Sequence, residues 1–129
     1  MGNSPVILVV DDEPDVAEIL GFYLEDHFTM EYATTPEKSI EVLKNTAYDL
    51  LITDLNMLGV DVNELIKLSM KIKPNAPILL STGEGEDSPK VIKAMELGAM
   101  GILVKPFGDP EEVQKYVLGK YHDKTTKAS

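Results

Sequence analysis

The sequence predicts an α/β protein: an open, doubly wound sheet of five parallel strands alternating with five helices. Three observations carry this. Short apolar runs alternate with amphipathic stretches at helical spacing along the whole chain. Most runs are uniformly apolar, as strands covered on both faces require. No repeat, low-complexity tract or linker interrupts the alternation, so the 129 residues make one domain.

Val6-Ile7-Leu8-Val9-Val10 is the first strand, stopped by Asp11-Asp12. Pro14 suits a helical first turn, where its missing N–H costs little, and Val16, Ile19, Leu20, Tyr23 and Leu24 then form one apolar face. Phe28 to Ala33 is the second strand, with Phe28, Met30 and Tyr32 on alternate positions. Thr35-Pro36 caps a second helix carried by Ile40, Leu43 and Ala47. Leu50 to Thr53 is the third strand and ends at Asp54.

A third helix covers Val62 to Lys73, with Leu65, Ile66 and Ser69 on one side and Pro74 beyond its end. Ile78 to Ser81 is the fourth strand, ending at Thr82-Gly83. Ser88-Pro89 opens a fourth helix bearing Val91, Ile92, Met95 and Leu97, closed by Gly98. The fifth strand, Ile102-Leu103-Val104, ends at Lys105-Pro106, and Asp109-Pro110 caps a last helix with Val113, Tyr116 and Val117 inward. The domain is drawn over residues 5–121, with 122–129 as a frayed tail. The acidic run Glu84-Gly85-Glu86-Asp87 is expected as a mobile, solvated loop.

Composition excludes several functions. Without cysteine there is no disulfide framework, thiol nucleophile or thiolate metal site, which fits a reducing cytoplasm. His27 and His122 are far apart and expected exposed, so no histidine-rich metal site forms. No apolar run approaches the roughly 20 residues of a membrane span, and the start lacks the pattern of a signal peptide. Val6 also stands where myristoylation needs Ser or Thr. Twelve Lys plus Arg against 22 Asp plus Glu, a net charge of −10, argue against direct nucleic-acid binding.

The polar residues fall in one kind of place. Asp11, Asp12, Asp54, Thr82 and Lys105 each lie at or just past the carboxyl end of a strand. In a parallel sheet those ends share one edge, outside which ligands bind. Crowded carboxylates repel and need a cation, and oxygen donors alone suit Mg2+ better than zinc. A hydroxyl and an ammonium opposite them suit phosphoryl oxygens, and a carboxylate there can act as a nucleophile toward phosphorus. Taken singly, each residue has a plainer reading: helix cap, turn residue or surface lysine. Together at one edge they do not.

From Val6 to about Tyr121 the chain resembles the receiver domain of two-component response regulators, the CheY-like family. The motifs are Val9-Val10-Asp11-Asp12-Glu13, Thr53-Asp54-Leu55-Asn56-Met57, Ser81-Thr82-Gly83 and Val104-Lys105-Pro106-Phe107. The resemblance implies a flavodoxin-like sheet of strand order 2-1-3-4-5. It implies Asp54 as phosphoacceptor, with Mg2+ held by Asp12, Asp11, Asp54 and the backbone carbonyl of Asn56. It gives Thr82 the part of switch hydroxyl and Lys105 that of ammonium partner to Asp54, and it makes Lys105-Pro106 a candidate cis peptide. Asn56 and Glu84 would tune dephosphorylation, and their likeness to chemotaxis-type regulators implies a short-lived phosphoryl state. The donor would be a histidine kinase or phosphotransfer protein, and the reader a downstream protein or an output domain, of which this chain carries none after its last helix. Self-phosphorylation and autodephosphorylation would be its only catalysis.

Three positions depart from the family pattern. Leu58 replaces proline and Val62 replaces glycine beside the acceptor, so a less tightly turned loop is expected there. Ile102 replaces the aromatic switch residue, and it lacks a polar tip. Two other readings therefore stay open. One is a constitutive interaction module that keeps the fold without switching. The other is an aspartyl phosphohydrolase, which Asn56 disfavours because haloacid-dehalogenase-type enzymes carry a second aspartate at that position.

Overall fold

The computed structural model describes the backbone of residues 4–128 and the side chains of residues 4–123. The elements run β1 (Val6–Val10), α1 (Pro14–Leu24), β2 (Thr29–Ala33), α2 (Pro36–Asn45), β3 (Leu50–Asp54), α3 (Val62–Ile72), β4 (Ile78–Thr82), α4 (Pro89–Leu97), β5 (Gly101–Val104) and α5 (Pro110–Ala128). All strand pairs are parallel, in the order β2-β1-β3-β4-β5. Among the described residues no helix is long and apolar enough to cross a membrane.

Successive side chains of a strand point to opposite faces, so the apolar runs feed two cores. Leu8, Val10, Leu51, Ile78 and Leu80 pack under Leu43, Leu65, Ile66, Val91 and Ala94 of α2, α3 and α4. Ile7, Val9, Leu50, Ile52, Leu79 and Leu103 pack under Val16, Leu20, Leu24, Val113 and Val117 of α1 and α5.

The helix starts follow local chemistry. Thr35 accepts a hydrogen bond from the Lys38 N–H, and Asp61 accepts from Asn63 and Glu64. Ser88 does not cap α4 through its side chain, because its hydroxyl donates to Glu84 instead. Gly98 ends α4 at φ +135°, where Met70 Sδ would lie 2.8 Å from an added Cβ.

Several faces differ from the periodic expectation. Ile19 and Ile40 are 41% and 37% exposed, and Ala17, Gly21 and Ser39 take the inner positions instead. Ala47 lies beyond the end of α2. Tyr32 is exposed on the edge strand β2, and Ile92 and Met95 of α4 face outward. In α1 and α2 small residues take the positions nearest the sheet, and the larger Ile19 and Ile40 turn aside. α5 stays helical past Tyr121, and the fraying expected over 122–129 falls mostly on side chains outside the described residues.

Candidate functional site

Register brings the strand ends together. Val10 pairs with Thr53, Asp54 with Ser81, and Thr82 with Val104. Asp11, Asp54, Thr82 and Lys105 therefore end neighbouring strands in one line. This is the edge that the sequence predicts.

Ligand oxygens of Asp11, Asp12, Glu13 and Asp54 all lie within 4.8 Å of one another. Asp11 and Asp54 are buried, while Asp12 and Glu13 open to solvent. Lys105 Nζ reaches in from β5's end, 3.1 Å from Asp11 Oδ2, 3.4 Å from Glu13 Oε1 and 3.7 Å from Asp54 Oδ1. The peptide bond Lys105-Pro106 is cis. Asp54 Oδ1 also accepts the Asn56 N–H at 3.1 Å.

The electrostatics are those of a crowded anionic pocket. Burial pushes the Asp11 carboxyl above the ordinary aspartate range, and the Asp54 charge adds to this against the Glu13 N–H and Lys105. Burial works against the Lys105 charge, but Asp11, Asp54 and Glu13 outweigh it and the ammonium is held above its ordinary value. Asp11 Oδ1 accepts the Glu13 N–H, whereas buried Oδ2 makes no hydrogen bond, its contact with Lys105 being an unaligned ion pair. A buried carboxylate oxygen paired with the Lys105 ammonium and facing three other acids fits a hard divalent cation.

Thr82 is buried, and its Oγ1 accepts the Glu84 N–H at 3.0 Å. Glu84 is not loose: Ser88 Oγ donates to Oε1 at 2.5 Å and Asn56 Nδ2 to Oε2 at 2.6 Å. These bonds hold its carboxyl below the ordinary glutamate range, the Ser88 bond most. The loop after β3 is also tight. The Val60 N–H bonds the Met57 carbonyl at 3.2 Å and Gly59 sits at φ +83°, so the glycine supplies the turn and Leu58 projects into solvent. Ile102 is half-buried, and its N–H donates to the Tyr116 hydroxyl at 2.9 Å. His27 and His122 are exposed.

Sequence reasoning missed two participants. Glu13 joins the acidic cluster, although the ligands expected were Asp11, Asp12, Asp54 and the Asn56 carbonyl. Lys90 donates to Asn56 Oδ1 at 2.7 Å, and nothing in its sequence position distinguishes it from other helix-face lysines.

A parallel sheet with an acid-lined crevice and one inward lysine at its carboxyl edge defines a receiver domain of two-component response regulators. The chain belongs to the response regulator receiver domain family, whose sequence profile matches residues 7–118. It is 35% identical over 112 residues to the transcriptional regulatory protein ResD of Bacillus subtilis, covering 86% of this chain and 45% of ResD. It is 33% identical over 104 residues to FixJ of Bradyrhizobium diazoefficiens, covering 80% of this chain and 50% of FixJ. The chain thus spans about half the length of these curated relatives.

Among solved structures, the chemotaxis protein CheY4 of Vibrio cholerae superposes with a TM-score of 0.77 at 29% identity, covering 91% of this chain and 98% of that one. A CheY-like receiver domain from Methanospirillum hungatei reaches 0.86 at 20% identity, covering 97% and 99% of the two chains, a likeness of fold.

Proposed function

We propose that Asp54 accepts a phosphoryl group from the phosphohistidine of a histidine kinase or phosphotransfer protein, and that the modified form is read by a downstream protein or output domain. The observation that supports this most directly is the meeting of buried Asp54 with Lys105 Nζ and three further acids at one sheet edge. A carboxylate oxygen of Asp54 attacks phosphorus. The new P–O bond forms as the P–N bond breaks, and the departing imidazole keeps the bond's electron pair and takes a proton from solvent.

Asp11, Asp12, Asp54 and the Asn56 carbonyl are the residues that would hold Mg2+, with Glu13 at the rim. That ion would supply positive charge against the phosphoryl oxygens. Lys105 pairs with Asp54 before transfer and with the phosphoryl group after it. Thr82 turns its hydroxyl toward the new anion, giving up the Glu84 N–H. A cytoplasmic location accompanies this reading, and self-phosphorylation with autodephosphorylation is its only chemistry.

The test is Mg2+-dependent phosphate incorporation that survives acid and is lost in base. Wild type should incorporate and Asp54→Ala should not, and the label should decay well within an hour. Equal incorporation in Asp54→Ala contradicts the reading, and phosphate lasting for hours contradicts the short lifetime that Asn56 and Glu84 imply. Ile102 favours a second one, in which the fold serves as a constitutive interaction module. Beryllium fluoride with Mg2+ separates the two, since the module shows no spectral shift near Asp54.

A further inference from the structure

We propose that Lys90 is a positioning residue of the phosphoryl site, which fixes the side-chain amide of Asn56 and keeps its oxygen from orienting the water that attacks phosphorus. The proposal rests on the reading of Asp54 as acceptor. Lys90, in the first turn of α4, holds Asn56 Oδ1 at 2.7 Å. Glu84 holds Asn56 Nδ2 at 2.6 Å from the other side. The flipped amide would set ammonium against NH2 and carboxylate against oxygen, so the two charges admit one orientation.

Glu84 is itself anchored, its side chain by Ser88 and its N–H by Thr82 Oγ1. Asn56 in turn donates its backbone N–H to Asp54 Oδ1. A continuous chain of hydrogen bonds thus runs from Thr82 through Glu84 and Asn56 to Lys90. It ties both loops that flank Asp54 to the start of α4.

Hydrolysis of an aspartyl phosphate needs a water aligned behind phosphorus. The water oxygen bonds phosphorus as the bond to Asp54 breaks, its proton leaves with phosphate or solvent, and Asp54 departs as carboxylate. An amide oxygen beside the acceptor is suited to align that water by accepting its hydrogen. Lys90 occupies that oxygen. Removing the ammonium frees it, so the phosphoryl group is lost faster.

The protein is phosphorylated with acetyl phosphate and Mg2+, the donor is removed, and decay is followed by acid quench. Lys90→Met should decay about fivefold faster than wild type, the factor set by roughly one hydrogen bond of alignment. Lys90→Arg, which restores a donor, should decay at the wild-type rate, as should Lys93→Met, an exposed lysine on the same helix. In an Asn56→Ala background, Lys90→Met should add nothing. In the unphosphorylated protein, the Asn56 side-chain NH2 resonances should move in Lys90→Met and not in Lys93→Met.

A wild-type decay rate in Lys90→Met, the same acceleration without the Asn56 amide, or unmoved Asn56 resonances each overturn the proposal. Absence of Asp54-dependent phosphate in wild type is a separate result. It removes the acceptor reading and this proposal with it.

Discussion

A divalent cation should raise the thermal stability of this protein, and the charges at the sheet edge set the scale. Four carboxylates against Lys105 leave a formal charge of −3 in a pocket whose ligand oxygens lie within 4.8 Å of one another. At that separation Asp11 and Asp54, the two buried members, repel by at least about 3.5 kcal/mol at an effective dielectric of ~20. Lys105 offsets part of this, and Mg2+ should offset more. At a concentration 100-fold above its dissociation constant, a ligand binding only the native state adds about 2.7 kcal/mol. With ~2.1 cal/mol/K of unfolding entropy per residue over 129 residues, that is a rise in Tm of about 10 °C.

The assay is thermal unfolding by circular dichroism in chelator and in Mg2+, with NaCl of equal ionic strength as the screening control. Asp11→Ala with Asp54→Ala should melt no lower than wild type in chelator and lose the Mg2+ response. A response equal to that of NaCl, or one that survives in the double variant, would refute the reasoning. The pH dependence has a definite sign. The Asp11 pKa is raised in the fold by burial, so its contribution in chelator is present below the unfolded value and lost as pH rises through the folded value. The proton and Mg2+ compete for the same carboxylate, so the Mg2+ shift should shrink on acidification, beginning above the range of an ordinary aspartate.

Two further outcomes follow from packing. Gly98→Ala forces a Cβ onto Met70 at φ +135° and should cost about 2 kcal/mol, read as a lower urea midpoint with unchanged slope; a neutral result would show that the turn relaxes freely. Tyr116→Phe removes the hydroxyl that accepts the Ile102 N–H and should cost about 1 kcal/mol, with faster hydrogen exchange at that amide; unchanged exchange would mean that water replaces the hydroxyl without loss.

What the sequence revealed and concealed has a physical pattern. Strands buried on both faces leave short apolar runs, and here β1, β3, β4 and β5 each end in or are followed by a polar residue whose position is counted along the chain. Asp11, Asp54, Thr82 and Lys105 were legible for that reason. Helix faces were less so, because periodicity groups residues without saying which small neighbour permits close approach. Ser39 is fully buried, satisfied by the Thr35 carbonyl, yet its residue type marks it as a surface position in the string. Ser69, bonded to the Tyr48 hydroxyl, lies on the side that its spacing predicts. The resemblance pointed to Glu84, but the bonds that anchor it, and the part of Lys90, escaped because they depend on a loop's path. A run of acids reads as solvated until Ser88 and Asn56 are seen to hold one of them.

The Tyr116 hydroxyl lies where Gly101 lacks a side chain, against the outermost strand of the sheet. A terminal strand normally offers unsatisfied backbone donors, an invitation for another polypeptide to stack alongside. By engaging the Ile102 amide from within its own chain, the protein blunts that invitation at one rung. Sheet growth into ribbons or fibrils is thereby discouraged on the side where β5 would otherwise template it.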